Sequence, residues 1–453
     1  MAAVPKYGTN LAAHRKDQLA SRVAVGRLLL IFASVALLAT LYIYHHGLTN
    51  GPPIRSDGVG YHAYLPAFFI DHDLTFRAMA KRLYGGAIPE WTGIILYPTA
   101  GIYLDKFPIG TALLQAPLFL VADLIAVFFG LERSGVSPPY QIANIMSGIF
   151  YFVMGVFFVL KTLERYFDTQ AVFLTVCLII FGTSVFHYAT YDAFASHIYS
   201  FALMALYVWL LLCYSGCPGV FTAAASGAVL GLIIITRNQD AIVVLIALGV
   251  WVQSIRTFGA RFSSIRDGTI FVLCLLGALL PLLTYWYLVT GNLIVYSYQT
   301  ESFNWTQPNI FNFLFSVQKG LFFWSPALLI ALIGFFFLPA QLHVFGGYAF
   351  LCLIIHVYVC ASWYQWWFGG SFGSRPFVDM MPIIALPMAA ALSKIIAYGG
   401  AIIARSIVIA LIAVNVLLMH SYWLGIIPIS GTTTQDLKNL PGNYYGVLTS
   451  RGF

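Results

Sequence analysis

Charge is what this 453-residue sequence has least of: 9% of its residues are Asp, Glu, Lys or Arg. A soluble domain carries about 25%, so this chain could not solvate its own surface in water. Cysteine is also scarce. The six cysteines lie mostly inside apolar runs, where Cys behaves as a small hydrophobe. Cys213 and Cys217 have CxxxC spacing, but neither a second pair nor a His cluster accompanies them, which argues against a metal site there. Internal repeats are lacking, which counts against carriers built from inverted halves. No second soluble domain is evident, and the sequence reads as one integral membrane domain over 1–453.

What is present fits lipid as the solvent. Hydrophobic residues make up 60% of the chain and aromatics 16%, and the mean hydropathy is +0.84. The net charge of +7 does not indicate nucleic acid. Its cations are scattered between apolar runs, not concentrated on one soluble face. A positive-inside bias accounts for them better.

A basic tail, 1–22, carries Lys6, Arg15, Lys16 and Arg22 and is expected in the cytoplasm. The first apolar run, 23–44, is close to the ~20 residues a bilayer needs, which makes it a span and not a cleavable signal peptide. A long polar and amphipathic stretch, 45–140, is then expected outside, with interfacial helices. It contains an apolar segment at 109–129. If that segment crossed, Lys161, Arg165, Arg256, Arg261, Arg266, Lys394 and Arg405 would all fall outside. The positive-inside rule favours an interfacial or re-entrant segment, and Pro108, Pro117 and Asp123 also weaken it as a simple span. Further spans are expected at 141–160, 170–187, 198–214, 221–235, 241–255, 269–289, 321–338, 344–360, 377–392 and 402–424, with an outer tail at 425–453. The expected fold is all-α: a polytopic transmembrane bundle of about eleven helices.

With this topology the unusual polar residues gather on the outer side: Asp57, His62, Asp71, His72, Asp73, Asp105 and Lys106, then His187, Asp192, His197, Arg237 and Asp240, then Glu301, Lys319, Arg375 and Asp379. Ionisable groups near a membrane are costly and usually functional. Ser56-Asp57-Gly58-Val59-Gly60-Tyr61 places an acid beside two glycines, on a turn that can be aimed; the plainer reading is an Asx-turn that begins a helix. In Tyr103-Leu104-Asp105-Lys106-Phe107-Pro108, the Lys holds a phosphate as a point charge or simply snorkels. Trp363 to Asp379 combines interfacial aromatics, including Trp366, with a Gly-rich turn that carries Arg375. Flexible backbone beside a guanidinium suits a phosphate or sugar. His187 and His197 bracket Tyr188 to Asp192 and read either as site groups or as hydrogen-bonded interface histidines. Asp71 and Asp73 read as a solvated turn or as a divalent cation site; no other cofactor is indicated.

An acid after the first helix, a long outer loop with interfacial helices and a later Lys-x-Pro resemble the GT-C superfamily of membrane glycosyltransferases. The likeness is to bacterial members related to protein O-mannosyltransferases and to the aminoarabinose and galacturonic acid transferases of lipid A. It covers most of the chain as architecture. The resemblance implies a sugar transferred from a polyprenyl-phosphate donor to a lipid or glycan hydroxyl, with inversion, and Asp57 as the catalytic general base. It further implies Tyr103, Lys106 and Pro108 at the donor phosphate, where relatives often show Asn-Lys-Pro-Pro and this chain has Asp-Lys-Phe-Pro. Arg375 and His197 are candidates for the same phosphate. Tyr61, His62, His187, Asp192, Arg237 and Trp366 are candidates for the substrate cavity. The expected location is a cell (inner) membrane, with the amino terminus cytoplasmic and the site facing the periplasm or exterior. Two other classes stay open. A transporter or flippase of a lipid-linked or anionic substrate would place its ionisable residues near mid-membrane on broken helices. A scaffold subunit would need no acid–base cluster.

Overall fold

Lipid offers no partner to backbone N–H and C=O groups, so the apolar runs of this chain close their hydrogen bonds within helices. The structure, a computed structural model, describes residues 8–97, 101–259 and 262–451; Lys6 and Arg261 lie outside them. The first helix, α1 (Gly8–His45), already begins within the stretch expected to be a tail. Then come α2 (Asp57–Phe69), α3 (Arg77–Tyr84), an antiparallel hairpin of β1 (Ile94–Tyr97) and β2 (Ile102–Asp105), and α4 (Gly110–Phe128). The hairpin was not expected, although two short β-branched and aromatic runs, one preceded by Gly93 and the other by Gly101, carry its signal.

The bundle continues through α5 (Pro138–Leu163), α6 (Thr169–Phe181), α7 (Val185–Thr190), α8 (Ser196–Gly216), α9 (Val220–Thr236), α10 (Val244–Phe258) and α11 (Phe262–Thr290). After a loop, α12 (Ile310–Phe315), α13 (Leu321–Trp324), α14 (Leu328–Gly334), α15 (His343–Ser362), α16 (Met381–Gly399) and α17 (Ala401–Trp423) complete it. Two expected spans are interrupted. The run 170–187 stops at Phe181 and resumes at Val185, and 321–338 is split between α13 and α14. The expected tail holds α18 (Thr434–Lys438) and α19 (Leu440–Arg451).

Among the described residues nine helices, α4 included, are long and apolar enough to cross a membrane, and three shorter apolar helices accompany them. The fold is therefore an all-α polytopic bundle, with α8 and α16 innermost and α1, α11 and α17 at the periphery. Small residues let neighbouring backbones approach. A Cβ on Gly227 of α9 would lie 2.1 Å from the Phe271 carbonyl oxygen of α11, and one on Gly334 of α14 would lie 1.7 Å from that of Pro387 in α16. A second apolar cluster packs α2, α3, the hairpin and α4 onto Ile235, Leu282 and Trp286, and forms a layer over one end of the bundle.

The path of α4 decides how that layer is built. Phe107 and Pro108 before it, and Val136 and Gln141 after it, line one and the same cavity. Ile54 N–H donates to Gln141 Oε1 at 2.7 Å and Arg82 Nη1 to the Ser134 carbonyl at 2.6 Å, which ties the segment after α4 to the layer before it. Tyr151 donates to the Leu114 carbonyl and Tyr140 to Asp123, so α4 runs alongside the cavity-side half of α5. Although α4 is long enough to cross, the segments before and after it line the same cavity. Leaving α4 aside, the long and short apolar helices make eleven segments between the two ends. Lys161, Arg165, Arg256, Arg266, Lys394 and Arg405 are then all at the end away from the cavity.

This arrangement predicts sidedness. With the exposed Cys217 replaced by Ser, cysteines placed at Asn50 and Glu132 should react with a membrane-impermeant thiol reagent from one side. A cysteine at Thr257 should react from the other. Shared reactivity of positions 50 and 257, with position 132 reacting from the other side, would mean that α4 crosses.

Candidate functional site

A cavity of about 1110 Å³ opens at the layered end of the bundle, lined among others by Arg55, Asp57, Tyr61, Lys106, Tyr188, Asp192, Arg237, Tyr298, Glu301, Trp363 and Arg375. Asp57 is the first residue of α2, so its carboxylate sits at the positive end of the helix dipole. The two glycines beside it serve a purpose other than a bendable turn. A Cβ on Gly58 would lie 2.5 Å from the Phe194 ring, and one on Gly60 would lie 2.6 Å from Phe107 and 2.7 Å from the Thr92 carbonyl oxygen. They make room for α2 to seat against the bundle and the hairpin.

Arg375 reaches Asp57 from the opposite part of the chain, and its Nη1 donates to Asp57 Oδ2 at 3.0 Å. The loop that delivers it turns at Gly369 (φ +66°) and Gly373 (φ +63°). A Cβ on Gly373 would also lie 2.8 Å from Ser184 Oγ, so a side chain there is excluded twice over. Lys106 follows β2, with its N–H bonded to the Gly93 carbonyl at 2.9 Å. Its Nζ donates to Glu301 Oε1 at 3.0 Å and lies over the Phe107 and Tyr298 rings.

Two deeper charge pairs stand behind these. Arg237 Nε is 2.6 Å from Asp379 Oδ2 with its N–H off the line between them, so the contact is an ion pair by proximity, not an aligned hydrogen bond. Arg237 Nη1 also donates to Ser196 Oγ at 3.0 Å, and His197 Nδ1 lies 3.1 Å from Asp379 Oδ1. On another wall Arg55 Nη2 donates to Asp192 Oδ1 at 2.8 Å. Trp423 Nε1 donates to His187 Nδ1 at 3.0 Å, which leaves His187 Nε2 to carry the proton that Asp192 Oδ2 accepts at 3.0 Å. Burial pushes the Asp192 carboxyl up, but the hydrogen bond from His187 and the positive groups around it pull it further down, below the usual carboxylate range.

Of the residues singled out in the sequence, Asp57, Lys106, Arg375, Tyr61, Asp192 and Arg237 line the cavity. His187 and His197 stand one contact behind it, on Asp192 and Asp379. Tyr103 is elsewhere, with its hydroxyl 3.4 Å from the Gly86 carbonyl oxygen. Along an extended strand, residues three apart face opposite sides, so Tyr103 and Lys106 diverge. His62 is buried between Gln115 and the Gly135 carbonyl, against the Phe119 ring. Trp366 is buried in the main apolar core. Asp71 makes a two-pronged pair with Arg82, while Asp73 accepts from Thr75 and from the Ala78 N–H at the start of α3. Asp105 is fully buried and accepts from the Phe107 N–H; burial lifts its carboxyl well above the usual range. Arg55 was not singled out. Its position two residues before Asp57 was the available signal.

No protein-family model matches the chain, and no curated protein matches it in sequence. Among solved structures, the chain is similar to the oligosaccharyltransferase AglB of Archaeoglobus fulgidus, solved with an inhibitory peptide and a dolichol-phosphate. That match has 10% identity and a TM-score of 0.47, over 90% of this chain and 56% of that one. It is also similar to an Archaeoglobus fulgidus oligosaccharyltransferase solved with Zn and sulfate, at 14% identity and a TM-score of 0.47, over 89% and 54%. The chain spans little more than half the length of these proteins.

Arg237 and Asp379 provide a stability test. Arg237→Met should cost about 3–5 kcal/mol, because it leaves a buried carboxylate without its cation. Adding Asp379→Asn should recover part of that loss, since the orphaned charge goes with it. Denaturant unfolding in detergent checks both, and a loss that simply adds in the double variant would contradict the pairing.

Proposed function

We propose that this chain is a membrane glycosyltransferase that moves a sugar from a polyprenyl-phosphate donor to a lipid or glycan hydroxyl on the outer face of a cell membrane. The observation that carries the reading is the 3.0 Å pair of Asp57 and Arg375 on the wall of the cavity. A carboxylate to take a proton and a cation to take a phosphate stand in contact there. Lys106 and the aromatic faces of Tyr61, Tyr298 and Trp363 line the same space.

The chemistry follows. The acceptor O–H gives its proton to Asp57 as the oxygen attacks the anomeric carbon, and the bond from that carbon to the phosphate oxygen breaks. The electron pair leaves with the lipid phosphate, whose charge Arg375 and Lys106 neutralise. Attack from the face opposite the leaving group inverts the anomeric centre. General-base help of this kind typically contributes about 10²–10⁴-fold. In the resting site Arg375 and Lys106 are paired with Asp57 and Glu301. Both pairs are partly exposed, whereas Asp379 beneath Arg237 is fully buried. The two exposed pairs are thus the ones a donor phosphate can open, and drawing Arg375 away frees the Asp57 carboxylate to act as base. Aromatic rings offer faces on which a sugar stacks.

The basic loops at the far end support this orientation. By the positive-inside bias that end is cytoplasmic, so the cavity faces the periplasm or exterior. A transporter would carry its charges nearer the bundle centre, and a scaffold would not need them.

Asp57→Asn should abolish transfer in an assay with a panel of polyprenyl-phosphate sugars while the protein still inserts and folds. Near-normal turnover would remove Asp57 from the mechanism. Arg375→Met and Lys106→Met should each lower affinity for undecaprenyl phosphate roughly ten- to 150-fold, the equivalent of about 1.5–3 kcal/mol for a charge-assisted hydrogen bond. Arg375→Lys should recover only part, because an ammonium lacks the two-pronged fork. If both Met variants bind like the parent at unchanged thermal stability, neither residue touches the phosphate.

A further inference from the structure

Lys319 is a buried cation that the mechanism above does not use. It is 1% exposed, and among the described residues no carboxylate is paired with it. Its Nζ donates to the Ser371 carbonyl and lies 5.2 Å from the centres of both the Trp324 and Tyr422 rings. An ammonium in such a place is costly unless its bonds are needed. A methionine or leucine would fill the same space without that cost.

What the ammonium grips is the Gly-rich loop. Ser371 precedes Arg375 by four residues, and its Oγ donates to the Gly373 carbonyl at 3.2 Å, which closes the turn. Gly373 then takes the left-handed conformation that turns the chain toward Arg375. Gly370 before Ser371 and Gly373 two residues after it leave the backbone here little stiffness of its own, and the buried Phe372 ring between them packs on Trp324 at 5.3 Å, against the same box. Trp324, one wall of the Lys319 box, is fastened in turn: its Nε1 donates to the Val317 carbonyl at 3.0 Å, and Asn415 Nδ2 donates to its carbonyl oxygen at 2.8 Å. The box is thus a rigid fixture of α13 and α17, and the loop is the part being held.

We infer that Lys319 is a positioning residue that clamps the 369–375 loop through the Ser371 carbonyl and so holds the Arg375 guanidinium against Asp57. The clamp deepens the glycosyltransferase reading but stands on geometry alone, so the two can fail separately. Burial, with the Arg375 charge beside it, pushes the ammonium down to about 7. The two ring faces oppose that shift by favouring the cation.

The test uses the full-length protein in detergent, with hydrogen–deuterium exchange over 366–377 and titration with undecaprenyl phosphate. Lys319→Met should speed exchange in the loop about tenfold or more while peptides from α8 and α16 keep their protection. Lys319→Arg, which keeps a charged donor, should restore most of it. Lys319→Met should also weaken undecaprenyl phosphate binding, and the Lys319→Met/Arg375→Met double variant should bind no worse than Arg375→Met alone, because the first residue acts through the second. Should Lys319→Met prove too unstable to purify, Lys319→Arg and Lys319→Gln carry the comparison, with loop protection expected to fall in that order. Unchanged loop exchange in the uncharged variants would overturn the clamp, as would multiplied losses in the double variant. A loosened loop combined with parent-like binding by Arg375→Met would uphold the clamp and remove Arg375 from the phosphate instead.

Discussion

A charge beside lipid has to be answered by another charge, and the cavity end of this protein is arranged around that requirement. Arg55, Lys106, Arg237 and Arg375 each meet one carboxylate: Asp192, Glu301, Asp379 and Asp57. Every one of these pairs joins segments far apart in the chain. The ion pairs therefore act as cross-links among the first loop, the α7–α8 connection, the end of α9, the loop after α11 and the segment from the Gly-rich loop to α16. Removing Arg237 does more than delete a contact, since it strands the fully buried Asp379 carboxylate at low dielectric.

The same arithmetic makes the site responsive. Arg55, Lys106, Arg237 and Arg375 each already meet an acid, so an anionic ligand reaches these cations by exchange. Exchange is easiest where water already reaches the pair, which singles out Asp57–Arg375 and Lys106–Glu301 over the buried Arg237–Asp379. A ligand that breaks the Asp57 pair changes the acid as well as the cation. Phosphate recognition and base activation are thereby one event. The Lys319 box behind the Gly-rich loop fits this scheme, because exchange at Arg375 requires a guanidinium whose backbone stays in place while its partner changes.

Backbone approach matters as much as charge. Gly58 and Gly60 admit the Phe194 and Phe107 rings, and without that space α2 could not bring Asp57 to the cavity. Gly227 and Gly334 do the same for the helix pairs beneath. Glycines that look in sequence like hinges are here the absence of a side chain where another part of the molecule must come close.

Composition alone determined that the chain lives in a bilayer, because 9% charge cannot solvate a fold of this size. Apolar run lengths gave a bundle of about eleven helices, since run length is a local property and the bilayer sets one thickness for all. The gathering of Asp57, Lys106, Arg237 and Arg375 was legible as a set of polar residues lying between apolar runs. The partner of each was not, because a carboxylate at 57 and a guanidinium at 375 meet only through the packing of helices that share no local pattern. Tyr103 was misplaced because a hairpin intervened and its alternation turned the ring away from Lys106. His187 and His197 look equivalent in sequence, yet one is locked by a tryptophan from α17 and the other by an acid just before α16. Those long-range contacts are set by where helices pack, so the tertiary structure alone decided which polar residues face the cavity and which hold the others in place.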